Sequence, residues 1–188
     1  MVILGIDPGL NITGYGAIAV SGRRIELIEA GDIRPPRTQP LQERLGYLHQ
    51  ALTGLLAKQR PEVVVVEMIF THQSYINTAA LMAHARGVAC LAIEQSGIRL
   101  IEYPTARVKK AIAGRGAATK EQVANMIGQW LGKRDPAWSF DATDALALAV
   151  AHAHMQDHKP LSPAAGPRAT RQELMGRLLL ARKTRGLP

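Results

Sequence analysis

Val2, Ile3, Leu4 and Ile6 form an apolar run that ends on Asp7-Pro8-Gly9, and this one acid at the end of a strand constrains the chain more than any other residue. The apolar alternation resumes from Tyr15 to Val20, so the two segments read as a β-hairpin. A carboxylate removed from water without a partner is strongly destabilised, so Asp7 has to be neutral, face a base or hold a cation. The nearest basic residues in sequence, Arg23 and Arg24, lie beyond the hairpin. A metal is therefore a natural explanation for the acid.

The chain after the hairpin alternates sheet and helix signals. Arg24 to Ile33 alternates loosely and reads as a third strand, stopped by Pro35-Pro36. Leu41 to Gln59 carries Leu41, Leu45, Leu48, Leu52, Leu55 and Leu56 at helical spacing. Glu62 to Glu67 holds four consecutive valines, as a strand covered on both faces does, and closes on a second strand-end acid, Glu67. A polar stretch with two aromatics, 70 to 77, leads into an Ala-rich helix from Thr78 to Gln95, then a fifth strand from Ile98 to Tyr103. Helices are expected from Thr105 to Ala113, from Thr119 to Leu131 with Thr119 as its cap, and from Phe140 to Met155. Gly9, Gly14 and Gly16 fit the turn and strands of the hairpin better than a phosphate cradle.

Length and composition narrow the class. The 188 residues suit one α/β domain over residues 1–158 followed by a flexible basic tail over 159–188. The single cysteine, Cys90, excludes a disulfide framework and points to a reducing, cytoplasmic setting, with the thiol a small core residue. No apolar run approaches the ~18 residues of a spanning helix, so no membrane role is expected. Net charge is +8, but the last 30 residues hold seven bases and one acid, so most of the basicity belongs to the tail. Within the domain, Arg99 to Lys120 sets Arg99, Arg107, Lys109, Lys110, Arg115 and Lys120 against only Glu102.

Asp141 and Asp144 stand three apart near the start of the last helix, on roughly one face. Capping and compensation of the helix dipole would account for the pair alone. The rest of that helix is apolar enough to be buried, which aims its first turn at the strand ends carrying Asp7 and Glu67. Four such acids make an all-oxygen site suited to Mg²⁺ or Mn²⁺, whereas zinc would call for His or Cys. Two ions ~4 Å apart in such a site would support phosphodiester hydrolysis by water, with no side-chain nucleophile. His152 and His154, two apart, cannot share a helix face and read as structural.

The motifs GIDPG and TGYG, VVVVE with an aromatic three residues on, ARG, VKKAIAGRGAATKEQV and DATDALALAVAHAH occur in this order over about residues 1–157. In these the chain resembles the RuvC family of bacterial Holliday-junction resolvases. The resemblance implies an RNase H-like fold, a five-stranded mixed sheet flanked by helices. It implies a Mg²⁺-dependent homodimer that nicks two opposing strands of a four-way DNA junction in recombination and repair, leaving 5′-phosphate and 3′-hydroxyl ends. Asp7, Glu67, Asp141 and Asp144 match the family's catalytic acids. Lys109 and Lys120 match its DNA-facing bases, with Arg115 in the same basic patch, and Phe70 matches an aromatic that stacks on unpaired bases, with Tyr75 a helper beside it. Contact with the branch-migration proteins RuvA and RuvB is likewise inherited from the family, as is dimerisation, for which the Ala-rich helix is a candidate surface. The competing expectations are a YqgF-type nuclease acting on RNA, a junction-binding protein without chemistry, and an actin-like phosphotransferase.

Overall fold

A computed structural model of the chain describes residues 1–68, 76–132 and 138–157. Phe70, Tyr75 and the segment 159–188 lie outside the described residues, and so does any test of their expected roles. The elements run β1 (Val2–Asp7), β2 (Thr13–Ser21), β3 (Arg24–Ile33), α1 (Leu41–Gln59), β4 (Val63–Glu67), α2 (Ile76–Gln95), β5 (Arg99–Tyr103), α3 (Thr105–Ala113), α4 (Lys120–Trp130) and α5 (Phe140–Asp157). The boundaries stay within two residues of those read from the sequence.

The five strands form one mixed sheet in the order β3-β2-β1-β4-β5. β1, β2 and β3 are an antiparallel meander, while β4 and β5 run parallel to β1. The period of two divides each strand between two layers. Leu4, Ile6, Val64 and Val66 pack on one face with Leu48, Leu52 and Leu56 of α1 and Ala85, Ala89 and Ile93 of α2. Ile3, Val63 and Val65 pack on the other face with Val108 and Ile112 of α3, Val123 and Ile127 of α4, and Leu146 and Val150 of α5. Continuous burial on both faces is why β4 is a run of valines. β3 alternates only loosely because the register with β2 shifts between Ala17 and Ile18, leaving Ile28 of β3 without a partner and 44% exposed.

Glycines set the depth at which α5 docks. A Cβ on Gly5 would stand 1.9 Å from the Ala145 carbonyl oxygen, one on Gly14 2.1 Å from the Asp141 oxygen, and one on Gly16 2.6 Å from the Leu146 side chain. Gly5 pairs with Gly16, and Asp7 with Gly14, across β1 and β2. Gly16 lies in a strand of the hairpin as expected, whereas Gly14 lies inside β2 and not in the turn; at both positions the missing side chain admits α5. Gly9 alone belongs to the turn, closed by hydrogen bonds between Thr13 Oγ1 and both the N–H and the carbonyl of Gly9.

The helix ends follow local signals. Thr119 caps α4 in a reciprocal capping box with Gln122. α1 ends at Arg60, in the left-handed region at φ +45°, and α3 ends at Gly114 at φ +73°. His152 is fully buried within α5, bonded through Nδ1 to the Tyr103 hydroxyl at 2.8 Å, and burial followed by the charge of Arg99 lowers its pKa to about 4. His154 packs edge-on against Trp130, so both histidines are structural, as the sequence implies. Cys90 is half-exposed on α2, not in the core as expected, because it lies at the edge of the face turned toward the sheet. Among the described residues no helix is long and apolar enough to cross a membrane.

Gly5→Ala forces α5 off the sheet and should destabilise the protein by about 1–3 kcal/mol. Gly46→Ala, in α1 where a Cβ meets nothing, should stabilise it by up to about 1 kcal/mol through helix propensity. Thermal melts of the two variants check this, and a neutral Gly5→Ala would show that α5 does not need the close approach.

Candidate active site

The division of side chains between layers places the acids. Ile3, Gly5 and Asp7 alternate on the α5 face of β1, and Val63, Val65 and Glu67 do the same on β4. Ile6 is in register with Val66, so Asp7 and Glu67 follow in step at the ends of adjacent parallel strands. α5 crosses this corner with its first turn over Gly14, the partner of Asp7. Asp141 and Asp144 are thereby delivered to the same cavity, of about 320 Å³, whose walls include Asp7, Glu67, Asp141, Asp144, Thr105, Lys109, Lys120 and Met82.

The charges in this cavity are frustrated. Asp7 has its pKa raised to about 7, first by burial and then by the negative charges of Asp144, Glu67 and Asp141, with Lys120 acting in the opposite direction. Asp141 is also held above the usual carboxylate range, first by burial and next by Asp32, with Asp144 adding to the effect. Lys120 Nζ donates to Asp144 Oδ2 at 2.9 Å, and that bond raises the lysine pKa. Lys120, expected on a DNA-facing surface, is thus tied directly to the acids at the mouth of their cavity. Lys109 lines the same cavity, one helical turn after Thr105. Arg115 is exposed in the turn between α3 and α4 and does not line it.

Several side chains that sequence reasoning passed over hold the acids in place. The Thr105 hydroxyl donates to Glu67 Oε1. Arg86 Nη1 donates to the Glu67 carbonyl at 2.5 Å while its other nitrogen pairs with Glu102 on β5. Ser139 caps α5, accepting the N–H of Ala142 at 3.0 Å, so Asp141 and Asp144 are not needed as caps. The available signals were a Ser two residues ahead of Asp141, a Thr immediately after Pro104, and the Arg of the ARG motif.

All four acids present oxygen donors alone, and their mutual repulsion is the condition that a divalent cation relieves. The residues therefore fit a hard cation. In this geometry Glu67 is bonded to Thr105 and Asp144 to Lys120. Among the described residues no three His, Cys, Asp or Glu side chains already form a ready-made metal cage.

Known proteins match both the sequence and the fold. A family profile described as "Crossover junction endodeoxyribonuclease RuvC" matches residues 3–152. The crossover junction endodeoxyribonuclease RuvC of Halorhodospira halophila is 47% identical over 153 residues, covering 81% of this chain and 89% of that protein. The protein of the same name from Xanthobacter autotrophicus is 45% identical over 152 residues, covering 81% and 89%. Among solved structures, Thermus thermophilus RuvC superposes with a TM-score of 0.76 at 34% identity, covering 86% of this chain and all of that one. A structure of T. thermophilus RuvC in complex with Holliday junction substrate matches with the same TM-score at 33% identity, covering 86% and 99%. The yeast mitochondrial resolvase Ydc2, at 12% identity and a TM-score of 0.62 over 82% of this chain and 79% of its own, shares the fold. The chain belongs to the RuvC family of crossover junction endodeoxyribonucleases, the RNase H-like enzymes that resolve Holliday junctions.

Proposed function

We propose that Asp7, Glu67, Asp141 and Asp144 are the catalytic centre of this junction endonuclease, that they hold Mg²⁺, and that two copies of the chain together make paired symmetric nicks in a four-way junction. RuvC-family nucleases are metal-dependent. The choice of Mg²⁺, with two ions per site and Mn²⁺ as a substitute, rests on the all-oxygen donor set. The observation that carries the reading is the convergence of four carboxylates from β1, β4 and α5 on one cavity, with Asp7 pushed up to about 7 by burial and like charge.

Cations held by these acids would supply activation of an attacking water and stabilisation of a leaving 3′ oxygen, the chemistry that leaves a 5′-phosphate end. The protein's own side chains do the remainder. Asp7, anchored in a central strand, fixes one wall of the site, while Glu67 is oriented from its side chain by Thr105 and from its backbone by Arg86. Lys109 and Lys120 bring positive charge to the cavity mouth, where they can contact phosphates next to the scissile one. Lys120 also balances Asp144, so its charge serves both the acids and the substrate. Phe70, Tyr75 and Arg115 are proposed as outlying DNA contacts.

The outer face of α2 supports dimerisation. It presents Ala80, Ala83, Gly87 and Leu91 to solvent, small side chains flanking an apolar one that is 51% exposed. A cytoplasmic location and handover of the junction from RuvA and RuvB complete the reading.

With a synthetic four-way junction and Mg²⁺, the wild-type protein should release nicked-duplex products from paired cuts. Asp7→Asn should lower that rate by more than roughly 100-fold, beyond what loss of a group that only orients a metal ligand usually costs, while junction binding stays intact. Cutting by Asp7→Asn near the wild-type rate would remove Asp7 from the centre. Leu91→Glu should shift sedimentation from dimer to monomer, and a wild type that sediments only as monomer would contradict the dimer.

A further inference from the structure

A hydrogen bond between residues 107 positions apart ties the acid-bearing end of α5 to the far strand of the meander. Ser139 Oγ donates to Asp32 Oδ1 at 2.6 Å and accepts the N–H of Ala142 at 3.0 Å. The Ser139 carbonyl accepts from the Thr143 N–H at 3.0 Å and from the Thr143 hydroxyl at 2.8 Å. The second oxygen of Asp32 takes Arg34 Nη2 at 2.6 Å, and the carboxylate is 14% exposed. This one serine hydroxyl thus spends its only proton on β3 and a lone pair on α5.

The location of the bond gives it significance. Asp7 pairs with Gly14 and Gly14 with Asp32, so these residues form a row across β1, β2 and β3. The first turn of α5 rests on the middle of that row, with the Asp141 carbonyl oxygen 2.1 Å from where a Gly14 Cβ would be. Glycine gives the helix room there but nothing to grip. Asp32, the next position along the row, supplies the grip through Ser139. A helix free to slide or lift at this point would carry Asp141 and Asp144 away from Asp7 and Glu67.

We propose that Asp32 and Ser139 are positioning residues for junction cleavage, forming a strut that sets the acids of α5 against those of β1 and β4. The proposal rests on the four acids being the catalytic centre. It differs from ordinary helix capping in a testable way. Asp32→Ala leaves the Ser139 cap of α5 intact and removes only the tie to β3, while Asp32→Asn keeps an acceptor oxygen for the Ser139 hydroxyl. Ser139→Ala removes cap and tie together, and Ser139→Thr retains both.

The test is single-turnover cleavage of a four-way junction in Mg²⁺ at saturating protein, run beside junction affinity without metal, thermal melts and Mn²⁺ binding to DNA-free protein. Asp32→Ala and Ser139→Ala should cut about 10–100-fold more slowly and bind Mn²⁺ more weakly, with junction affinity within about twofold of wild type; Asp32→Asn and Ser139→Thr should stay within about threefold on every readout. Wild-type cutting and Mn²⁺ affinity in Asp32→Ala would overturn the proposal, as would equal losses in Asp32→Asn and Asp32→Ala. If Ser139→Ala melts below the assay temperature, the two Asp32 variants decide the question alone. A wild type that does not cut in the same series would instead remove the acid centre on which the proposal stands.

Discussion

Gly5, Gly14 and Gly16 let α5 come down onto the backbone of β1 and β2, and the rest of the site follows from how closely the helix then approaches. Had any of the three carried a side chain, α5 would sit further from the sheet, and the acids of its first turn would lie above the strand ends instead of among them. The apolar run Ala145 to Val150 supplies the favourable side of that approach, since these side chains are buried almost completely between the sheet, α3 and α4. Burial of an ordinary core thereby holds four mutually repelling carboxylates together. The raised pKa of Asp7 records the electrostatic cost of the arrangement.

That cost suits the site to the proposed uptake of cations. A strand-end acid surrounded by like charges favours whatever positive charge can reach it, and among the described residues the cavity is lined by two basic side chains, Lys120 on Asp144 and Lys109 nearby. Neutral donors such as the Thr105 hydroxyl orient a carboxylate without discharging it. The acids are held in position yet left under-compensated, which suits a centre that takes up cations together with a polyanionic substrate.

Much of this was legible in the sequence because local rules carry it. The period-two rows of β1 and β4, the leucine spacing of α1, the Thr119 cap and the strand-end placement of Asp7 and Glu67 depend on neighbours within one turn or one strand. Asp141 and Asp144 could be assigned to the same corner because α5 is too apolar to lie anywhere but on the sheet. What was not legible depends on pairs far apart in the chain. Gly14 looked like a turn residue because nothing near it in sequence reveals the helix that arrives 127 positions later at Asp141. Nothing in the sequence singles out Asp32 or Ser139, 107 positions apart, as partners; only the fold brings them together. Lys120 was grouped with the surface bases by its sequence neighbours, whereas its hydrogen-bond partner lies on α5.

The corner where β1, β4 and α5 meet is proposed here as a cation-holding centre organised around Asp7. The most direct measurement is anomalous diffraction from crystals of the protein bound to a four-way junction with non-hydrolysable scissile phosphates, grown in Mn²⁺. Manganese density is expected in contact with Asp7 and at least one of Glu67, Asp141 and Asp144. Density confined to other parts of the molecule, with the four carboxylates uncoordinated, would contradict it.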